Sequence, residues 1–212
     1  MVATETERYT FSTIGGALCL DFANTISSHL TEEPNEHLES YVDLLTWAEQ
    51  SGALPGEEVN KLAEEAARRP ADAQSAFHNA LELRRAIYQL FSAVASEQPA
   101  PPEAMQKFNE YLSSALAHAK VVEEESGFAW GWVDAELSLE RMLWLVARSA
   151  ADLLVSGQVE RVRECGGHDC SWLFIDSTKN HSRRWCDMGD CGNRAKARRH
   201  YHRKQKLVSS RQ

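Results

Sequence analysis

Four of the five cysteines, Cys165, Cys170, Cys186 and Cys191, fall within 27 residues in the spacing C-x4-C-x15-C-x4-C, while Cys19 stands alone near the start. A thiolate is a soft anionic ligand, and each short C-x4-C loop can bring two sulfurs onto one centre. Zn²⁺ accepts four thiolates in a tetrahedron without redox chemistry. The pattern therefore predicts one structural zinc held by Cys165, Cys170, Cys186 and Cys191. Four sulfurs close the shell, whereas a catalytic zinc usually keeps an open position beside His or carboxylate ligands. Two disulfides would need an oxidising compartment, and an iron–sulfur cluster would need a different spacing. His168 could replace one cysteine, but its loop position suits a solvent-facing residue. Gly166-Gly167 and Gly189 give the two knuckles backbone freedom to turn.

The second chemical feature is cationic. From Ser177 to the end there are 11 Lys/Arg against two Asp. The stretch from Cys191 to Lys206 has no proline and, after Gly192, good helix formers. On a helix Arg194, Arg198 and His202 share one face beside Tyr201, and Lys196, Arg199, Arg203 and Lys206 share a neighbouring one. Like charges crowded on one rod repel each other, and a polyanion relieves that repulsion. A rigid basic helix suits the DNA major groove. Lys179, Arg183, Arg184, Lys196, Arg199, Arg203 and Lys206 are the expected phosphate contacts. Asn193, Arg194 and Arg198, near a fixed helix start, are the candidates for base edges. The competing readings are a solvated tail without a partner, and an RNA site with stacking by Trp172, Trp185 or Tyr201.

These residues need a scaffold, and the rest of the chain supplies one of opposite charge. Residues 1–160 carry 10 Lys/Arg against 26 Asp/Glu, and residues 161–212 carry 13 against 5, a partition that the overall charge of −8 conceals. Charge and cysteine density thus both place a boundary near Gly157 to Arg161, dividing the chain into 1–158 and 159–212. The composition, 43% hydrophobic and 25% charged, excludes wholesale disorder. No stretch approaches the roughly 18 apolar residues of a membrane span. The first residues lack a basic and an apolar signal region, so a cytoplasmic chain with reduced thiols is expected.

The first part reads as mainly helical. Ser40 and Asp43 offer a capping box for a helix that Gly52 stops. Glu57 to Arg69 is amphipathic, with Pro70 as its end. Asp72 to Ser96 reads as a long, deeply packed helix. Pro102 opens a helix through Phe108 and Leu116. Lys120–Glu123 and Phe128–Trp132 suit a short hairpin. Asp134 then caps a helix through Leu137, Met142 and Leu153 whose apolar residues run nearly all round, which suits the central helix. In the second part, Ser171 to Ile175 reads as a strand and Asp176 to Asn180 as a turn. The fold class is mainly α: a helical domain with a short β-hairpin, then a small four-cysteine zinc module ending in a basic helix.

In the first part the distinctive segment is Gly15 to Thr25. Asp21, Asn24 and Thr25 could line a pocket for a small-molecule effector, or they could cap and join helices inside the fold. The scattered His29, His37, His78 and His118 show no ligand spacing. Cys19 reads as a buried apolar side chain. The pair Arg84-Arg85, inside a helix, could meet a buried carboxylate or an anionic ligand, with a salt bridge the plainer fate. No catalytic constellation or phosphate loop is present, so a non-enzymatic protein is expected; an enzyme with its site in the body remains the alternative.

The run Arg183-Arg-Trp-Cys-x4-Cys191-Gly192-Asn193-Arg194, with the upstream C-x4-C and Phe174 to Asn180, resembles the CGNR zinc-finger family. Leu18 to Thr25 resembles the companion domain called ABATE. The resemblance implies a bacterial, stress-induced transcription regulator with a DNA-binding finger. It implies that Cys165, Cys170, Cys186 and Cys191 hold the zinc and that Asn193 and Arg194 open the last helix. Duplex DNA is then the expected partner, RNA the alternative. A homodimer would be useful because one small finger reads few base pairs.

Overall fold

The computed structural model describes residues 9–27, 34–125, 127–133 and 138–209, with the side chains of the last helix described through Tyr201. Asp134, Leu137, His29 and the side chains of His202, Arg203 and Lys206 lie outside the described residues. Among the described residues, seven α-helices, α1 Leu18–Ala23, α2 Tyr41–Gln50, α3 Gly56–Arg68, α4 Pro70–Ala95, α5 Pro102–Ala117, α6 Arg141–Leu154 and α7 Asn193–Ser209, are joined by three two-stranded antiparallel sheets. The sheets are β1 Ile26–Ser27 with β2 Asn35–Glu36, β3 Ala119–Glu124 with β4 Gly127–Trp132, and β5 Val162–Glu164 with β6 Leu173–Ile175. The chain is mainly α, as its periodicity suggests.

Local chemistry explains most of the boundaries. The Ser40 hydroxyl accepts from the Asp43 N–H and donates to the Asp43 carboxylate, which takes the Glu39 N–H in return, so the capping box forms. Gly52, at φ +72°, follows α2 in the left-handed region that glycine tolerates. Pro70 departs from expectation. It does not merely end α3; it opens α4 two residues before Asp72, because proline's missing N–H is harmless in a first turn. α6 starts at Arg141 after a turn, later than expected.

The core is organised around α4 and α6. α4 touches α1, α2, α3, α5, α6 and the β5–β6 hairpin. α6 lies against α1, α4 and α5, and Asp152 alone of its residues is exposed. The β3–β4 hairpin, in the register Ala119↔Trp132 to Glu124↔Gly127, adds Trp132 beside Trp144 and places Trp130 under Arg148 at 4.2 Å.

The third hairpin fixes how the cysteine module meets the helices. β6 falls within the strand read at Ser171 to Ile175, and its partner β5 lies on the other side of the first cysteine pair. Val162 and Leu173, both 0% exposed, belong to the same apolar core as Leu20, Leu83 and Val146. A smaller core forms from Phe174, Trp185 and the four cysteines, with Ile14, Trp172 and Ala195 packed on it.

Candidate metal centre and nucleic-acid interface

β5 delivers Cys165 to the centre, and the chain turns at Gly166-Gly167 before Cys170. The turn is clamped by the Cys165 N–H donating to the Trp172 carbonyl and the Gly166 N–H donating to the Arg184 carbonyl, at 2.8 and 2.9 Å. A Cβ on Gly167 would sit 3.1 Å from the Cys170 Cβ and 3.4 Å from the Cys165 and Cys191 sulfurs, so a side chain there would press on the Cys170 ligand. Beyond β6, Asp176 accepts from the Thr178 N–H, the Thr178 hydroxyl and the Arg183 N–H, folding the expected turn into a loop that returns the chain to Cys186.

The second knuckle is a wide turn over Met188–Gly192, started by Asp187, whose carboxylate accepts from the Asp190 N–H at 2.7 Å. α7 follows directly. The four sulfurs are buried, and all lie within 4.8 Å of one another. Cys170 and Cys191 each approach Cys186 at 3.6 Å, close to the edge of about 3.8 Å for a tetrahedron with Zn–S bonds of about 2.3 Å. Four thiols so close cannot all ionise unaided. Hydrogen bonds from Cys170 and Cys186 hold the Cys165 thiol down at about 2, and that interaction pushes Cys170 up to about 12. A dication at the centre supplies the charge that lets all four bind as thiolates. The donor set, burial and spacing fit one structural zinc. His168 is a solvent-facing neighbour, its side chain 73% exposed and paired with Asp169. Among the described residues no other group of three or more His, Cys, Asp or Glu converges in this way.

The residues after the fourth ligand turn back toward the metal. A Cβ on Gly192 would meet Met188 Sδ and Trp185 Cδ1 at 3.0 Å. Asn193 Nδ2 donates to the Gly189 carbonyl at 2.8 Å. Arg194 donates to Cys191 Sγ at 3.2 Å and to Asp190 at 3.1 Å. Arg198 is paired with Asp169 at 3.1 Å. The three candidates for base edges therefore spend donors inside the module, a role that charge pattern alone does not reveal. Arg183 is similarly engaged. It lies over Phe174 at 4.4 Å and donates to the Trp185 and Cys186 carbonyls. Arg184 covers the Trp185 ring at 4.7 Å. Lys179, Lys196 and Arg199 are exposed and form no ion pair among the described residues.

The expected stacking residues divide. Trp185 is 9% exposed under Arg184, and the Trp172 indole N–H donates to the Ile26 carbonyl at 3.0 Å. Tyr201 is open to solvent.

Asp21, Asn24 and Thr25 join parts of the fold. Asp21 accepts the Gly15 N–H at 2.8 Å, and burial pushes its carboxyl up to about 6. Asn24 donates to the Leu173 carbonyl at 2.9 Å and accepts the Leu173 N–H at 2.8 Å, a two-point clasp across 149 residues of chain. The Ile175 N–H donates to the Gly15 carbonyl beside it. Thr25 donates to the Phe22 carbonyl and accepts from Arg84, whose guanidinium also forks onto Glu36. Of the pair, Arg84 thus meets the structural carboxylate, while Arg85 is exposed. Cys19 is fully buried and its thiol is raised to about 12 by that burial, as suits an apolar role. Among the described residues no helix is long and apolar enough to cross a membrane.

Two family models match the chain. The ABATE model, described as "Putative stress-induced transcription regulator", matches residues 16–157, and the CGNR zinc-finger model matches residues 161–204. No curated protein matches the sequence.

Proposed function

From the premise that the chain belongs to the ABATE family and ends in a CGNR zinc finger, we propose that it is a zinc-dependent transcription regulator whose module binds duplex DNA. The observation that carries this reading is the seating of α7. The fourth zinc ligand lies in the turn that starts the helix, and Asn193 and Arg194 tie its first turn back to that knuckle. A metal site that holds a helix start leaves the next turns, with Lys196 and Arg199, projecting as a rigid cationic edge. Lys179 and Arg184 add to it from the preceding loop. The helical body, acidic by composition, repels polyanions and leaves the module as the face a duplex can approach. The body is assigned the sensing or dimerising role.

Four cations with no carboxylate partner among the described residues, Lys179, Arg184, Lys196 and Arg199, set the test. Each neutralised phosphate contributes about −0.9 to the slope of log affinity against log salt, so the slope should be about −3.6. Affinity should then fall about 150-fold between roughly 50 and 200 mM salt. Fluorescence anisotropy of a labelled duplex with zinc-loaded protein measures it. A slope near zero, or stronger retention of single-stranded RNA than of duplex in competition, overturns the reading.

A further inference from the structure

A cleft of about 380 Å³ lies between the first zinc knuckle and α7, and four arginines, Arg184, Arg194, Arg198 and Arg199, line it with Trp185 and Ala195. We propose that this cleft binds a phosphate ester of nucleotide size, through arginines that it shares with the proposed duplex surface.

Volume separates the cleft from a simple anion notch. It falls in the range of small-molecule pockets, about 300–1,000 Å³, and far exceeds the roughly 30 Å³ share of one water. The lining has two characters. Guanidinium forks match phosphate oxygens in pairs, and each carries five donors, so one intramolecular bond leaves others to offer. Arg194 is held in place by Asp190 and the Cys191 sulfur, and Arg198 by Asp169, so both are positioned before a ligand arrives. Arg199 forms no ion pair among the described residues. Asp169 is the one carboxylate in the lining, already engaged by Arg198 and His168. Beside His168 and the zinc ligand Cys191, the remaining wall is apolar: Ala195, the glycine turn and Trp185. Arg184 covers the indole face, so a base cannot stack fully on it. Recognition rests on the phosphate, and the wall accepts the sugar or base by contact.

The ester can come from a free nucleotide or from a strand of bound nucleic acid, and the two are separable. Arg194, Arg198 and Arg199 belong to α7, so a free nucleotide would compete with a duplex for them; that competition, unlike the binding itself, rests on the function proposed above.

The test is calorimetric titration of the zinc-loaded full chain, without DNA, using adenosine 5′-monophosphate, inorganic phosphate and adenosine as probes. Saturable binding of the monophosphate, weaker binding of inorganic phosphate and none of adenosine are expected. Arg184→Gln and Arg199→Gln should each weaken the monophosphate about tenfold, and Lys120→Gln, on the distant hairpin, should not. Equal binding of adenosine and its monophosphate, or equal effects of Lys120→Gln and Arg184→Gln, would overturn the proposal. A duplex titrated separately distinguishes the sources. Duplex binding with no binding of the free probes removes the small-ligand site and leaves the DNA reading intact. Monophosphate binding without duplex binding does the reverse.

Discussion

Replacing Asn24 with alanine probes how the zinc module is held to the helical body. The Asn24 amide donates to one backbone group of Leu173 and accepts from the other, at 2.9 and 2.8 Å, with Asn24 at 4% and Leu173 at 0% exposure. Alanine leaves both groups of Leu173 buried without these partners. An abandoned buried donor or acceptor costs about 1–3 kcal/mol, so Asn24→Ala should destabilise the zinc-loaded protein by about 2–5 kcal/mol. With a urea m-value of about 2.5 kcal/mol/M, the midpoint should fall by about 1–2 M. Urea titration followed by far-ultraviolet circular dichroism reads the body, and chelator-detected zinc release in the same samples reads the module. Asn24→Asp keeps the acceptor but sets a carboxylate against the Leu173 carbonyl, so it should be at least as damaging at neutral pH. A loss below about 0.5 kcal/mol for alanine, or an Asn24→Asp protein as stable as the parent, would refute the clasp.

Cys186→Ser should abolish stoichiometric zinc and release the last helix; the ellipticity lost should not exceed that of the 17 residues of α7, and global unfolding would contradict a body that folds without the metal. Arg194→Gln should speed zinc transfer to a chelator and weaken zinc about tenfold, in line with other groups that hydrogen-bond a metal ligand, with Arg194→Lys intermediate; unchanged zinc affinity would return Arg194 to the duplex. Asp21 supplies a pH test. Burial raises its folded-state carboxyl from 3.8 to about 6, so the folded chain holds a proton that the unfolded chain releases. Stability from this group therefore grows as pH falls from about 6 to about 4. Denaturation midpoints of Asp21→Asn should lack that rise when compared with the parent at each pH, and parallel profiles would count against it.

What could be read from the residues alone depended on whether the deciding interaction was local. The Ser40–Asp43 box, the β3–β4 hairpin and the zinc quartet are encoded within a few residues or by a ligand chemistry with few alternatives, and all three are found. Pro70 misled because proline both ends one helix and begins another, and only the backbone of Arg69 distinguishes them. β5 was missed since Val162-Arg-Glu164 is three residues long and largely charged; its partner is across the first knuckle and Val162 itself is buried in the body. Glu36 and Arg84, and Asn24 and Leu173, are paired at separations of 48 and 149 residues, which no local pattern reveals. The charge partition near residue 160 reflects composition along the chain; it is silent about the β5–β6 hairpin, whose apolar side chains enter the core of the acidic part.

The last helix carries the sharpest consequence. A basic residue's position on a helical face says which neighbours it has on that helix, but not whether its donors are free. Here the tetrapeptide Cys191-Gly192-Asn193-Arg194 is spent on the metal centre: a ligand, a close approach to Met188 and Trp185, a cap on the preceding turn, and a donor to the ligand sulfur. A duplex that claimed the bonded Nη2 would have to draw Arg194 away from a thiolate and Arg198 away from Asp169. The second exchange is inexpensive, since the Arg198–Asp169 pair is exposed and such pairs contribute only about 0–1 kcal/mol. The first opposes zinc binding itself. We therefore propose Arg198 rather than Arg194 for any base contact, since the Arg194 guanidinium is bonded to the sulfur of a zinc ligand.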